Sequence, residues 1–345
     1  MQGSLVLGDV GVAARDAKIR AVPGSEVRNA VVVRGLEKRF GDVHAVRGID
    51  FAVRSGESFG FLGPNGAGKS TTIKILCTLA SPTAGSATVA GHDVVRERDA
   101  VRRNIGLVFQ ETTLDEYLSA HRNLFFHGEL YGVPRAVLPA RIEQVMKMVG
   151  LWDRKDSAVS TFSGGMKRRL EIARGLVHAP NVLFLDEPTI GLDPQTRSQI
   201  WGYIRELQQR HAITIFLTTH YMDEAEHCDR IAIMDAGKIV ADGPPGALKA
   251  AVGKDRVQIR TADDAAAIVA LKEKLDVAAS VHDGAVTFGV PSGEKFLPRL
   301  FAELPVPILS VSVARPTLDD VFLSFTGTTM RDAAASAASK PGENG

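Results

Sequence analysis

Apolar residues along this chain come in short runs, each ending on glycine or a polar side chain. Residues 57–62 read Glu-Ser-Phe-Gly-Phe-Leu and predict a buried strand; residues 72–79 continue as a helix. Val31-Val32-Val33 predicts an earlier strand, and Ile49-Asp50-Phe51-Ala52-Val53 alternates like a second, with a turn at Phe40-Gly41-Asp42 between them. Further strands are predicted at 86–90 and at 105–109, the latter closing on Gln110. Between 118 and 159 the spacing turns helical, with Leu124, Phe125 and Tyr131 on one segment and Ile142, Val145, Met146 and Val149 on another. Gly132-Val133-Pro134 breaks the two apart. Ser163-Gly164-Gly165 opens a helix whose inner face is Leu170, Ala173, Leu176 and Val177. Val182-Leu183-Phe184-Leu185 then runs into Asp186-Glu187, a helix carries Ile200, Ile204 and Leu207, and a strand at 213–217 leads to His220. Strands alternating with helices predict an α/β fold with a largely parallel sheet and its site at the strand C-termini.

The pattern changes after Gly243-Pro244-Pro245-Gly246. Strand, helix, hairpin around Asp283-Gly284, helix and strand follow in turn, the β-α-β-β-α-β order of a ferredoxin-like α+β unit. The expected organisation is a mobile extension over 1–28 and a main domain over 29–249 with a helical insertion at about 112–160. An accessory or dimerisation domain over 250–328 and a disordered Ala-, Ser-, Lys- and Gly-rich tail over 329–345 complete it.

Composition narrows the class. The 345 residues leave room for one large domain and a smaller one, and 45% hydrophobic with 23% charged residues is ordinary for a globular protein. A net charge of +1 gives no global pull towards nucleic acid or anionic lipid. Cys77 and Cys228 form no CxxC pair and suggest a reduced, cytosolic setting. No apolar run approaches membrane-spanning length and the N-terminus has no signal-peptide core, so a membrane role is expected only through a partner.

The chemistry begins at Gly63-Pro64-Asn65-Gly66-Ala67-Gly68-Lys69-Ser70-Thr71, a full match to G-x-x-x-x-G-K-[ST]. Glycines let consecutive N–H groups turn towards phosphate oxygens, Lys69 reaches the β- and γ-phosphates, and the Ser70 hydroxyl sits on Mg2+. Asp186, after four apolar residues, suits the Mg2+-holding acid of a P-loop ATPase, and Glu187 can orient or deprotonate a water for attack on the γ-phosphate. Ser163-Gly164-Gly165-Met166 is either a plain helix cap or a second anion site. As an anion site beside a P-loop it implies two half-sites that meet when two copies pair head to tail. Phe40 is a candidate for stacking on adenine or simply a core or turn aromatic.

With these motifs in order, residues 31–243 resemble the nucleotide-binding subunits of ABC transporters. Thr161-Phe162-Ser163-Gly164-Gly165-Met166 is similar to their signature loop, with Phe162 for the usual Leu and Met166 for the usual Gln. The resemblance implies adenine stacking by Phe40, where Tyr is usual, and a Q-loop role for Gln110 in touching Mg2+ or water and sensing the membrane subunit. It implies metal binding and catalysis by Asp186-Glu187-Pro188-Thr189, a D-loop at Gly191-Leu192-Asp193 that crosses the dimer interface, and a γ-phosphate-sensing His220. The ending Arg315-Pro316-Thr317-Leu318-Asp319-Asp320-Val321-Phe322-Leu323-Ser324-Phe325-Thr326-Gly327 resembles daunorubicin-resistance-type exporter ATPases. The implied protein is an ATPase using ATP and Mg2+, a homodimer on ATP binding, held to the cytoplasmic face of the membrane by a separate permease subunit. It would power efflux of a drug, lipid or related hydrophobic compound, with no nucleic-acid partner. The alternative is a soluble ABC ATPase acting on ribosomes or DNA, but such relatives usually carry two motor domains or a long coiled-coil insertion, and this chain has one motor domain and no sustained heptads. Leu114, Tyr117 and Leu118 either receive a short helix of the permease or pack the insertion's own core.

Overall fold

The computed structural model describes residues 28–282 and 285–327. The expected N-terminal extension, apart from Arg28, the C-terminal tail and the Asp283-Gly284 tip lie outside them.

The chain opens with a mainly antiparallel layer. Strands β1 (Asn29–Phe40) and β2 (Val43–Arg54) form a hairpin, and β4 (Ala84–Val89) and β5 (His92–Asp93) extend it in the order β2-β1-β4-β5. The second sheet is β10-β9-β3-β8-β7-β6, built from β3 (Ser58–Leu62), β6 (Ile105–Val108), β7 (Val182–Asp186), β8 (Thr214–Thr219), β9 (Arg230–Asp235) and β10 (Lys238–Gly243). Its first five strands from β6 to β9 run parallel, and only β10 turns back. Every residue of β3, β7 and β8 is buried, which is why these strands read as unbroken apolar runs.

Two apolar layers cover this sheet. Towards the first sheet, Phe51, Phe59, Phe61, Phe184 and Phe216 interlock with ring centroids 5.0–6.0 Å apart in several pairs. On the other side lie α5 (Gly164–Leu176) and α6 (Pro194–His211), together with α3 (Ala120–Leu130) and α4 (Leu138–Met148) of the helical insertion. The helical reading of 118–159 resolves into these two helices and short 3-10 turns. The helix expected over 72–79 is α1 (Lys69–Leu76); it starts inside the glycine loop and stops where Thr78 takes a left-handed φ of 63°. Hydrophobic spacing gave no warning of α2 (Arg98–Asn104), α7 (Met222–Ala225) or the β9–β10 hairpin.

The third sheet, β12-β13-β11-β14, consists of β11 (Asp255–Thr261), β12 (Ala279–His282), β13 (Ala285–Val290) and β14 (Ile308–Ala314), all antiparallel. With α9 (Asp264–Leu275) and α10 (Gly293–Glu303) it encloses its own core of Val257, Ile259, Leu271, Val286, Phe288 and Leu300. This is the ferredoxin-like arrangement expected from the element order. The last helix, α11 (Leu318–Thr326), does not join that core. Leu318, Val321 and Phe322 pack into the main apolar cluster with Ala241 of β10 and Leu248 of α8 (Pro245–Val252). A capping box starts α11: Asp320 N–H donates to Thr317 Oγ1, and the Asp320 carboxylate accepts from Thr317 N–H at 2.8 Å.

Candidate functional site

Four parallel strands end on one edge of the central sheet, and each delivers a polar group there. β3 leads into the glycine loop, β6 into Gln110, β7 ends at Asp186 and β8 leads into His220. A cleft of about 420 Å³ opens at this edge, lined by Phe40, Val43, Ala45, Asn65, Gly66, Ala67, Gly68, Lys69, Ser70, Thr71, Gln110, Glu187 and Ile190.

The loop geometry demands glycine at two points. Gly68 has φ +104°, and a Cβ there would come within 2.4 Å of Ala45 O. A Cβ on Gly63 would sit 2.2 Å from Met234 O. Gly63 and Pro64 therefore form the back of the loop, not the cleft lining. Their carbonyls accept hydrogen bonds from Lys69 Nζ at 2.6 and 3.0 Å. Burial lowers the Lys69 pKa, opposed by the charges of Glu187 and Asp186.

Asp186 stands behind Ser70. Its Oδ1 accepts from Ser70 Oγ at 3.1 Å and from Thr218 Oγ1 at 2.5 Å. Thr218 Oγ1 also accepts from Glu187 N–H at 3.1 Å, so one hydroxyl aligns both acids. This residue was missed by the sequence reading; a threonine inside the wholly buried strand β8 is the signal that could have found it. Ser70 and Asp186 present hard oxygen donors of the type that Mg2+ takes.

Glu187 has a φ of +47°, in the left-handed region that a non-glycine residue seldom occupies. His220 Nδ1 lies 3.2 Å from Glu187 Oε1 and donates to it. Burial opposes ionisation of Glu187, but the His220 hydrogen bond and the charges of His220 and Lys69 outweigh it and hold its pKa below the ordinary value. An ionised carboxylate next to the Lys69 ammonium is suited to accept a proton from water.

Phe40 is half exposed at the mouth of the cleft, at the tip of the β1–β2 hairpin, with Lys38 Nζ 4.7 Å from its ring centre. It is a ring free to stack, not a core aromatic. Gln110 is exposed and also lines the cleft. The Ser163 loop and Asp193 do not line this cleft among the described residues. Ser163 caps α5 by accepting from Met166 N–H, and Asp193 caps α6 by accepting from Thr196 N–H. The two loops pack on each other: a Cβ on Gly165 would come within 2.3 Å of Thr196 Cγ2, and one on Gly164 within 3.8 Å of Leu192 Cδ2. Both Ser163 and Asp193 face solvent.

Residues 46–190 match the family model of the ABC transporter, and residues 243–326 match that of the ATP-binding protein DrrA1-3-like C-terminal domain. The daunorubicin resistance ATP-binding protein DrrA3 of Streptomyces coeruleorubidus is 41% identical over 308 residues, covering 88% of this chain and 97% of that protein. The chain belongs to the ABC transporter ATP-binding proteins. The linearmycin resistance ATP-binding protein LnrL of Bacillus subtilis is 39% identical, over 86% of this chain and 98% of its own length. Among solved structures, cbiO1 of Clostridium perfringens, part of the cbiONQ complex, superposes with a TM-score of 0.61 at 31% identity, over 65% of this chain and 91% of cbiO1. The ATP-binding cassette MJ0796, a dimer bound to ADP and Pi after hydrolysis, gives 0.56 at 26% identity, over 62% of this chain and 98% of that one. This ABC protein is thus an ATPase, and the cleft between Phe40 and Glu187 lies where its P-loop meets its paired acids.

Proposed function

We propose that this chain is the ATP-hydrolysing subunit of an exporter and acts through a separate membrane permease. The observation that carries the reading is the solvent-facing Ser163 loop, which stands outside the cleft formed by the P-loop of its own chain. A serine hydroxyl and glycine backbone at the start of a 13-residue helix suit a phosphate, and in this reading that phosphate belongs to nucleotide held by a second copy. Asp193, packed beside that loop through Leu192 and Thr196, lies at the same contact between copies.

Within one copy, Phe40 stacks on the adenine and the loop residues 65–71 that line the cleft cradle the phosphates with their N–H groups. Lys69 contributes the positive charge. Ser70 and Asp186 hold Mg2+, with Gln110 as a further oxygen donor; one or two protein oxygens with phosphate and water are the usual Mg2+ shell. The metal neutralises phosphate charge when bound. Glu187 takes the proton of the attacking water, and His220 orients that carboxylate and meets the γ-phosphate. Binding draws two copies together, and hydrolysis with product release separates them.

The unit boundary falls near residue 250: the ATPase occupies 29–249, and an accessory unit follows whose last helix returns to the ATPase. No helix among the described residues is long and apolar enough to cross a membrane, so the proposed place at the cytoplasmic face of the membrane comes through the permease. Relatives named for daunorubicin and linearmycin resistance support a hydrophobic cargo. Co-expression with a candidate permease subunit tests the reading. The expected result is co-purification in detergent and ATP-dependent export of a hydrophobic compound, with export lost and co-purification retained in Lys69→Ala; co-purification with ribosomes or DNA instead would overturn it.

A further inference from the structure

We propose that Arg168 is a positioning residue for ATP hydrolysis, fastening the turn that carries Glu187 and the loop that carries Gln110 to the helix that begins at Ser163. The inference rests on the roles proposed for Glu187 and Gln110.

Arg168 lies on α5 and is only 6% exposed. All five guanidinium N–H groups have acceptors. Nε donates to Pro188 O at 2.6 Å, and Nη2 donates to Asp186 O at 3.2 Å and Glu187 O at 3.1 Å. Nη1 donates to Phe109 O and, at 3.1 Å, to Glu171 Oε2. Three successive carbonyls of the acid turn are therefore held by one planar group. Glu187 sits in the middle of them in its left-handed conformation, which persists only where surrounding contacts impose it. Phe109 immediately precedes Gln110.

Glu171, one turn further along α5 and 1% exposed, completes the wiring: its Oε1 accepts from Thr113 N–H at 2.8 Å. Its charge also compensates a cation that burial disfavours. The acid turn and the segment from Phe109 to Thr113 thus share one anchor, five residues along the helix from Ser163. A change in the seating of the Ser163 loop moves both. Lysine cannot replace this fork, because an ammonium offers three donors from a single point, and the carbonyls come from two segments.

The test uses the full chain with Arg168→Lys, Arg168→Gln and Glu187→Gln, each alone, and Arg168→Lys combined with Glu187→Gln. Nucleotide affinity, single-turnover hydrolysis and thermal melting are measured for each. Arg168→Lys is expected to lower kcat by about tenfold and Arg168→Gln by about a hundredfold, with ATP affinity within about twofold of wild type, as misplacement of a reacting group does. Because Arg168 acts through Glu187, Arg168→Lys should cost less than about twofold in the Glu187→Gln background. Wild-type turnover in Arg168→Lys, or the same fold loss in both backgrounds, would overturn the proposal. So would a loss of turnover that tracks lost nucleotide affinity and lowered melting temperature. If Arg168→Lys does not fold, Glu171→Gln carries the same test, with the same split between turnover and affinity expected and the same outcomes overturning it. Wild-type turnover in Glu187→Gln alone would instead reject the role of Glu187, a failure distinguishable from that of Arg168.

Discussion

His220 and Glu187 are 33 residues apart in sequence, yet the imidazole Nδ1 reaches the carboxylate Oε1 at 3.2 Å, across the ends of the adjacent strands β7 and β8. The contact orients the acid and helps to keep it ionised. Glu187→Gln should therefore retain ATP binding while turnover at saturating Mg·ATP falls by about 10²–10⁴-fold, the usual contribution of a general base. His220→Ala removes contributions that lower the Glu187 pKa, so that pKa should rise. In a pH profile of kcat, the acid limb of His220→Ala should lie at higher pH than that of wild type. An unshifted limb would separate His220 from the ionisation of Glu187.

The segment after Gln110 divides into a buried and an open part. Leu114 is buried in the main cluster, whereas Tyr117 is 94% exposed. Of the two readings of this segment, core packing fits Leu114 and a docking role fits Tyr117. Tyr117→Asp should leave the melting temperature and basal ATPase rate of the isolated subunit unchanged and weaken capture by the permease in a pull-down. Normal capture and transport would remove Tyr117 from the contact.

Acid should destabilise the junction of α3 with α5. His127, Tyr131 and His178 stack there with centroids 4.1–5.6 Å apart, and Arg174 lies close by. Burial, reinforced by Arg174 and His178, lowers the His127 pKa from 6.5 to about 3. Burial also lowers that of His178. For His127, between these values the unfolded chain binds the extra proton, so its contribution to stability is full above pH 6.5 and declines as pH falls towards 3, by up to about 1.4 kcal/mol per pH unit. His127→Gln should flatten the drop in melting temperature between pH 7 and pH 5; an unchanged drop would show that other groups govern it.

Phe322 of α11 is fully buried against the ATPase unit. Phe322→Ala should cost about 3–5 kcal/mol of stability, read from denaturant unfolding, as other large-to-small core changes do. Nucleotide affinity of the folded variant should be unchanged, because the cleft lies elsewhere. The same geometry means that truncation near residue 250 strips a packed helix from the ATPase as well as removing the third sheet.

What the sequence alone determined is local. The P-loop, the Ser-Gly-Gly helix start and the apolar runs ending in Asp186-Glu187 and His220 are legible because their constraints act over a few residues: a backbone that must curl, a helix that must be capped, a strand buried on both faces. The β-α-β-β-α-β order of the accessory unit is legible for the same reason. Tertiary structure decided what depends on distant partners. Ser70 meets Asp186 across 116 residues, Arg168 gathers carbonyls from Phe109 and from residues 186–188, and Thr218 joins the two acids. Spacing along the chain carries no trace of such contacts, because a buried arginine on α5 looks like any other basic residue of a basic helix start. The return of α11 to the main core was hidden likewise: Leu318, Val321 and Phe322 declare an apolar helix face, but only the packed structure decides which of two cores receives it.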